Sequence, residues 1–174
     1  DAAFAALALR LPDLNELILA SEKPDPETLY ASREKLRRLV AVTTQAKLRP
    51  IAEAKAETPF SPGAEAAGRR ALKSASLDLL AALGAPSHDL LKRAYDNSTN
   101  MTEAVAALEA LGASGAQTFQ DALDHFYARW RHNPLVIDKW FSIQAAAPRD
   151  DALARVEKLR AHPDFELRNP NRVR

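Results

Sequence analysis

Apolar residues recur at steps of three and four along most of the chain, and this spacing predicts helices. Signals for strands are weak, because runs of β-branched residues are short and the 174 residues include only five glycines. Prolines and glycines interrupt the helical pattern at intervals, most clearly in the loop at residues 57–63. These breaks divide the chain into about eight or nine helices, and the sequence therefore predicts an all-α protein.

Two of the predicted helices meet in the stretch from Trp130 to Gln144. The first carries an apolar stripe formed by Phe119, Ala122, Leu123, Phe126 and Trp130. The second is capped by Asn133 and has Pro134 in its first turn. An asparagine side chain accepts hydrogen bonds from free N–H groups at a helix start, and proline fits the first turn because its missing N–H costs nothing there. The inward side of the second helix carries Val136, Ile137, Trp140, Phe141 and Gln144. Both tryptophans lie here, so we expect this corner to bury the most area per residue.

The same periodicity predicts which side chains face inward elsewhere. A long helix begins at Pro26, and Pro50 is expected to kink or restart it. Its predicted inward residues are Leu29, Leu36, Val40 and Thr43. In the last full helix they are Leu153, Val156 and Leu159. Asn100 and Glu103 form a predicted capping box, in which Glu103 reaches back to the N–H of Asn100.

Short connections between these helices predict antiparallel helical hairpins stacked in sequence, as in an α-solenoid of the ARM or HEAT type. The sequence contains no repeat of fixed period, and irregular solenoids often lack one too. We therefore expect residues 1–174 to form a single helical-repeat domain, with the loop at 57–63 as the candidate point of subdivision.

Composition and charge exclude several classes of partner. The 24 basic and 23 acidic residues are interspersed and leave a formal net charge of +1, so no basic surface for nucleic acid is predicted. Cysteine is absent, which excludes disulfides and thiolate metal sites. No apolar run approaches the roughly 18 residues that cross a bilayer, and the first residues lack the pattern of a signal peptide. We therefore expect a cytoplasmic protein with neither nucleic acid nor a membrane as partner.

The residues by themselves show no active site. The zinc-peptidase motif HExxH, which places two imidazoles and a general base on one helix face, is absent. Asp121 and His125 lie one helical turn apart, and we interpret them as a surface hydrogen bond, with a shared metal ion as the alternative. Asp138 and Lys139 are interpreted as a solvated helix face, with a catalytic role as the alternative. No catalytic residue and no metal ligand is predicted, and a helical enzyme that uses Asp121, His125 or Asp138 is the least favoured hypothesis.

The last six residues of the chain have two interpretations. They read Asn169, Pro170, Asn171, Arg172, Val173 and Arg174. In the structural interpretation, Asn169 caps a helix that begins at Pro170 or just after it. In the functional interpretation, the arginine guanidinium groups are aimed at a carbonyl or carboxylate.

Three stretches together resemble bacterial aminopeptidase N, a gluzincin zinc aminopeptidase of the alanyl/lysyl type. They are NSTNMTEAVAALEAL (97–111), WRHNPLVIDKWFSIQAAAP (130–148) and NPNRVR (169–174). Their order and spacing match the C-terminal region of that family, and over 1–96 the resemblance is a helical pattern with LALRLP near its start. The positions that carry the resemblance are Asn100, Trp130, Asn133, Pro134, Asp138, Trp140, Asn169, Pro170 and Asn171.

The resemblance implies a non-catalytic helical domain that covers a catalytic domain and lines the route of the peptide substrate. The HExxH and GAMEN motifs of the family lie in its catalytic domain and do not occur here. The resemblance therefore implies a chain that holds no cofactor and is inactive alone, and a parent enzyme that binds zinc. The NPNR-x-R segment of the family faces the internal cavity, and by position Arg174, followed by Arg172, is implied to hold a bound peptide.

The resemblance also implies that the chain is a piece of a longer helical domain. Apolar faces that such a piece leaves uncovered are expected to cause self-association. A second hypothesis is a stand-alone α-solenoid scaffold that binds a partner protein on its concave face. The first hypothesis requires a catalytic domain in the same polypeptide, and the second does not.

Overall fold

The chain folds into a succession of helices. The structure, a computed structural model, describes residues 1–173 except the side chain of Asn171. Over this range it contains ten α-helices and no strand. They are α1 (Ala2–Leu9), α2 (Leu14–Ala20), α3 (Pro26–Ala52), α4 (Ala64–Ala81), α5 (His88–Asp96), α6 (Met101–Ser114), α7 (Phe119–Trp130), α8 (Pro134–Ala146), α9 (Ala152–Arg160) and α10 (Pro170–Val173). The predicted all-α class is confirmed, and the one-turn α10 adds to the nine longer helices within residues 1–173.

Side-chain caps set several helix starts at the positions that the sequence predicts. Asp25 Oδ1 accepts a hydrogen bond from the N–H of Glu27 at 3.1 Å, and Pro26 occupies the first turn of α3. At α6, the N–H of Glu103 donates to Asn100 Oδ1 at 3.0 Å. The other half of the predicted capping box is wrong, because the Glu103 carboxylate accepts from the side-chain amide of Asn100 at 3.2 Å. That carboxylate turns inward, towards Lys73 of α4.

The long helix α3 runs through Pro50 to Ala52 without a break. Of the two predicted effects of Pro50, a kink or a restart, the restart is therefore excluded. The buried residues of α3 are Arg37, Ala41, Leu48 and Ala52, whereas Leu36 and Thr43, which were predicted to face inward, are exposed. The face that meets α4 includes Arg37, whose guanidinium lies 2.8 Å from Asp78 Oδ1. The ion pair between the two helices therefore explains why a charged residue, Arg37, lies on the buried face of α3.

Helix α4 is central to the stack, where it packs against α1, α3 and α6. A Cβ atom at Gly68 would lie 3.1 Å from the backbone nitrogen of Ala3, so a larger residue here would require α1 to move outward by a few tenths of an ångström. The core continues from α3 through to α9, and α3 and α4 pack against each other across the 57–63 loop. A subdivision at that loop stays a prediction.

Gly115 ends α6 in the left-handed conformation, with φ of 76°. No atom lies within 4 Å of a Cβ built there, so the cost of a side chain is confined to the backbone. We expect Gly115→Ala to lower the free energy of unfolding by about 1–2 kcal/mol, measured by urea denaturation. Gly115→Asn is the control and should lose less, because asparagine adopts this conformation more readily. Equal losses in both variants would contradict a conformational origin.

Candidate functional site

The corner formed by α7 and α8 buries large apolar side chains of both helices. That it buries the most area per residue stays a prediction. The predicted inward stripes are confirmed: Phe119, Ala122, Leu123 and Phe126 of α7 and Val136, Ile137, Trp140, Phe141 and Gln144 of α8 are buried. Trp140 donates a hydrogen bond from its indole Nε1 to the carbonyl of Leu123 at 3.1 Å, which ties the two helices together. Trp130 is only half-buried at the end of α7. Asn133 and Pro134 start α8 as predicted, with Asn133 Oδ1 accepting from the N–H of Leu135 at 3.2 Å.

Three aromatic rings surround His162, which follows α9. Its ring centroid lies 5.3 Å from that of Tyr127, 5.2 Å from Trp140 and 5.6 Å from Phe141. The Nδ1 atom accepts a hydrogen bond from the backbone N–H of Asp164 at 3.1 Å. The histidine therefore anchors the segment that leads from α9 to α10. In the sequence it is visible only as a helix stop before a proline.

Asp164 links this segment to α7. The hydroxyl of Tyr127 donates to Asp164 Oδ2 at 2.6 Å. This hydrogen bond raises the pKa of Tyr127, because the neighbouring carboxylate favours the protonated hydroxyl. Neither residue was predicted from the sequence, since a tyrosine on α7 and an aspartate after α9 give no sign of their pairing.

Arg172 of α10 closes the site against α8. Its Nε donates to Asp138 Oδ1 at 2.8 Å, and only 13% of the arginine side chain and 14% of the aspartate side chain are exposed. A second nitrogen, Nη1, donates to the carbonyl of Asp164, and the guanidinium lies 5.8 Å from the centroid of the Phe141 ring. The interpretation of Asp138 as part of a solvated helix face is therefore wrong, whereas the neighbouring Lys139 is exposed.

The structure brings together only part of the predicted residue set. Asp138, Trp140 and Arg172 share one site, and α10 begins at Pro170 as the helix-entry interpretation predicts, with the N–H of Arg172 donating to the carbonyl of Asn169 at 3.0 Å. Asn100 lies elsewhere, at the start of α6. Arg174 and the side chain of Asn171 lie outside the described residues.

Asp121 and His125 do not form the expected pair. His125 Nδ1 lies 2.8 Å from the hydroxyl of Tyr95 on α5. Burial raises the pKa of Tyr95 to about 12, so this hydroxyl stays protonated at neutral pH. In the part of the chain that the structure describes, no group of three or more His, Cys, Asp or Glu side chains is placed to hold a metal ion.

A groove of about 910 Å³ opens between α1, α4, α6 and α8. Its walls are mostly alanine and serine, which leaves the helix backbones close to the surface. Asp78 and Glu109 contribute carboxylates to it. Burial and the charge of Asp78 raise the pKa of Glu109 above its usual value. Arg10 and Arg33 also line the groove, so it combines apolar walls with charges of both signs.

No helix within residues 1–173 has the length and apolar character that a membrane crossing requires.

A sequential stack of helices around a continuous core, with short connections, defines this protein as an α-solenoid type of helical domain. The chain belongs to the family described as a domain of unknown function (DUF3458_C) with ARM repeats, which matches residues 1–174. The ARM-like architecture predicted from the sequence is confirmed by this match.

Comparison with characterised proteins confirms the resemblance to aminopeptidase N and extends it over the whole chain. The chain is 42% identical over 178 residues to aminopeptidase N of Caulobacter vibrioides. It is 33% identical over 175 residues to aminopeptidase N of Escherichia coli. Each alignment covers 100% of this chain and 20% of the relative, so the chain spans about one fifth of the length of these proteins.

A solved structure shows the same fold. The crystal structure of Legionella pneumophila aminopeptidase A in complex with aspartic acid matches with a TM-score of 0.82 and 30% sequence identity. The match covers 97% of this chain and 21% of that protein.

Proposed function

We propose that this chain is the non-catalytic helical domain of a zinc aminopeptidase, an enzyme that removes N-terminal residues from peptides. One observation carries the proposal. The whole chain aligns at 42% identity with aminopeptidase N of Caulobacter vibrioides but covers only 20% of that protein. In the proposal, the catalytic domain lies in the remainder of the parent polypeptide, and the helical domain covers it and lines the route of the peptide.

The described residues do not fit a zinc ion, because no group of three potential ligands occurs among them. We therefore assign the zinc of the parent enzyme, which would activate water for peptide hydrolysis, to its catalytic domain. The helical domain contributes shape and charge. Its cytoplasmic location, with no nucleic-acid or membrane partner, is part of the same proposal.

The alanine-rich groove suits the wall of a peptide route. Small side chains let an extended peptide approach the helices closely, and Glu109 offers a carboxylate to its N–H groups or cationic side chains, whereas Asp78 is already paired with Arg37. At the far end of the described chain, Arg172 is already paired with Asp138. We therefore keep Arg174 as the residue that we propose holds the bound peptide, as the sequence resemblance implies.

The outer face of α3 is a surface that the catalytic domain can cover. Leu36, Leu39 and Val42 recur at three-residue steps on this helix and are 48%, 60% and 48% exposed. An apolar stripe of this kind on the surface marks a site of contact with another protein surface. Self-association of the isolated chain through uncovered faces of this kind stays a prediction.

The proposal is tested by comparing two purified proteins, the full-length parent and the 174-residue chain. We expect the parent to release N-terminal alanine or lysine from peptides and to lose this activity in the presence of a zinc chelator. The chain alone should show no release with or without added zinc. Zinc-dependent cleavage by the isolated chain, or a parent without aminopeptidase activity, would overturn the proposal.

The groove also favours a second candidate, a stand-alone α-solenoid scaffold. Such a scaffold would bind a specific partner protein in the absence of any peptidase domain. A parent gene that encodes no catalytic domain would favour it over the first proposal.

A further inference from the structure

We propose that Asp138 and Arg172 form a positioning pair, which fixes the Asn169–Val173 turn so that the parent enzyme presents this segment to bound peptide in one geometry. The inference rests on the proposed function, and it gives Arg172 a role different from substrate contact. Arg172 acts through the turn that carries it, and Asp138 holds Arg172.

The pair connects three parts of the chain. Asp138 belongs to α8, Asp164 to the segment after α9, and Arg172 to α10. The arginine donates to a carboxylate oxygen of the first at 2.8 Å and to the backbone carbonyl of the second. Two acceptors on different segments and the ring of Phe141 at 5.8 Å together fix the plane of the guanidinium.

The turn depends on such a contact because it has little stability of its own. Helix α10 is four residues long, and a single helical turn does not persist in water without tertiary support. Pro170 and Val173 are exposed, so apolar burial holds the turn only weakly. The support therefore comes from Arg172, whose side chain is 13% exposed.

The far side of the pair is rigid as well. Asp164 is held to α7 by the hydroxyl of Tyr127 at 2.6 Å, and its N–H is bound by His162 at 3.1 Å. His162 is in turn enclosed by aromatic rings of α7 and α8. The position of the turn is therefore fixed relative to the α7–α8 corner.

A buried ion pair is better suited to fixing a geometry than to adding net stability. Removing two charges from water offsets much of the attraction between them, whereas alternative positions of the turn would leave either charge buried without a partner. Nε and Nη1, two of the three guanidinium nitrogens of Arg172, are engaged within the domain, which fixes the orientation of the group.

The test uses the full-length parent enzyme and two conservative variants, Asp138→Asn and Arg172→Lys. Asparagine keeps an acceptor oxygen but removes the charge, and lysine cannot donate to both acceptors from a planar group. We expect KM for peptides of several residues to rise about tenfold in each variant, with kcat nearly unchanged. KM for a single aminoacyl amide, which is too short to reach the turn, should not change.

Glu103→Gln is the matched control. Lys73 and Glu103 also form a buried ion pair, at 2.7 Å, but this pair joins α4 to α6 and does not touch the turn. We expect the control to leave KM unchanged for both the peptide and the amide, even where it lowers the thermal midpoint. A loss of peptide affinity in the control as well would show a general structural effect and overturn the inference.

Amide hydrogen exchange provides a second measurement that does not need turnover. The amide of Arg172, which donates to the carbonyl of Asn169 at 3.0 Å, should exchange about tenfold faster in Asp138→Asn than in the unchanged parent, while α7 and α8 keep their protection. Unchanged exchange in the turn, or unchanged KM for long peptides in an active parent, would overturn the inference. A parent without activity would instead defeat the proposed function, so the two failures are distinguishable.

Discussion

Glu103→Leu will lower the free energy of unfolding by about 3–5 kcal/mol, because it leaves the ammonium group of Lys73 buried without its counter-charge. Lys73 Nζ lies 2.7 Å from Glu103 Oε2, and the two side chains are 11% and 4% exposed. A second bond, from Nζ to the carbonyl of Ala54 at 2.8 Å, remains in the variant but does not neutralise the charge. Urea denaturation followed by circular dichroism measures the loss.

The double variant Lys73→Met with Glu103→Leu is the control for this prediction. It removes both charges and keeps similar volume, so most of the stability should return. The difference between the double variant and the sum of the single variants gives the coupling energy of the pair. A single-variant loss below about 1 kcal/mol, the range of exposed ion pairs, would contradict a buried pair.

The α7–α8 corner was predictable because its residues leave little choice. Phe119, Phe126, Trp140 and Phe141 are large apolar side chains at helical spacing, and the only way to bury all of them is on the inward faces. The Asn133–Pro134 start then sets the phase of α8. Strong periodicity and a clear cap together gave both the helices and their buried stripes.

Where the apolar side chains are smaller or fewer, periodicity alone misplaced the inward face. In α9, Leu153 and Val156 are 75% and 44% exposed, and only Leu159 of the predicted set is buried. In α3, the buried face includes Arg37, which no hydropathy pattern would select. Periodicity indicates which residues are able to be buried, whereas the neighbouring helix decides which of them are.

The polar contacts of the candidate site lie beyond what the sequence pattern can predict. The sequence contains 24 basic and 23 acidic residues, and nothing in it indicates that Asp138 pairs with Arg172, which lies 34 positions further along the chain. The resemblance identified Arg172, but for substrate contact. His162, Asp164 and Tyr127 meet only because the segment after α9 folds back over α7 and α8.

Trp140→Ala will cost about 3–5 kcal/mol of unfolding free energy, the range for removing a large buried aromatic side chain. The tryptophan is 6% exposed, and its ring centroid lies 4.9 Å from that of Tyr127 and 5.1 Å from that of Phe141. The variant also loses the hydrogen bond from the indole to the carbonyl of Leu123 at 3.1 Å. Trp140→Phe should lose less, because it fills most of the volume and sacrifices mainly that bond.

Trp130→Ala is the matched control, and it should cost only about 1 kcal/mol because Trp130 is half-buried. The chain has two tryptophans, so the fluorescence of Trp130 alone reports unfolding of Trp140→Ala, and that of Trp140 reports unfolding of the control. Similar losses from both substitutions would contradict the conclusion that Trp140, and not Trp130, stabilises the corner by its burial.

Because Trp140 also packs against His162 at 5.2 Å, a cavity at Trp140 should loosen the segment that carries Asp164 before the rest of the domain unfolds. Faster hydrogen exchange at residues 162–173 in Trp140→Ala, but not in Trp130→Ala, would connect the packing of the corner to the position of the Arg172 turn.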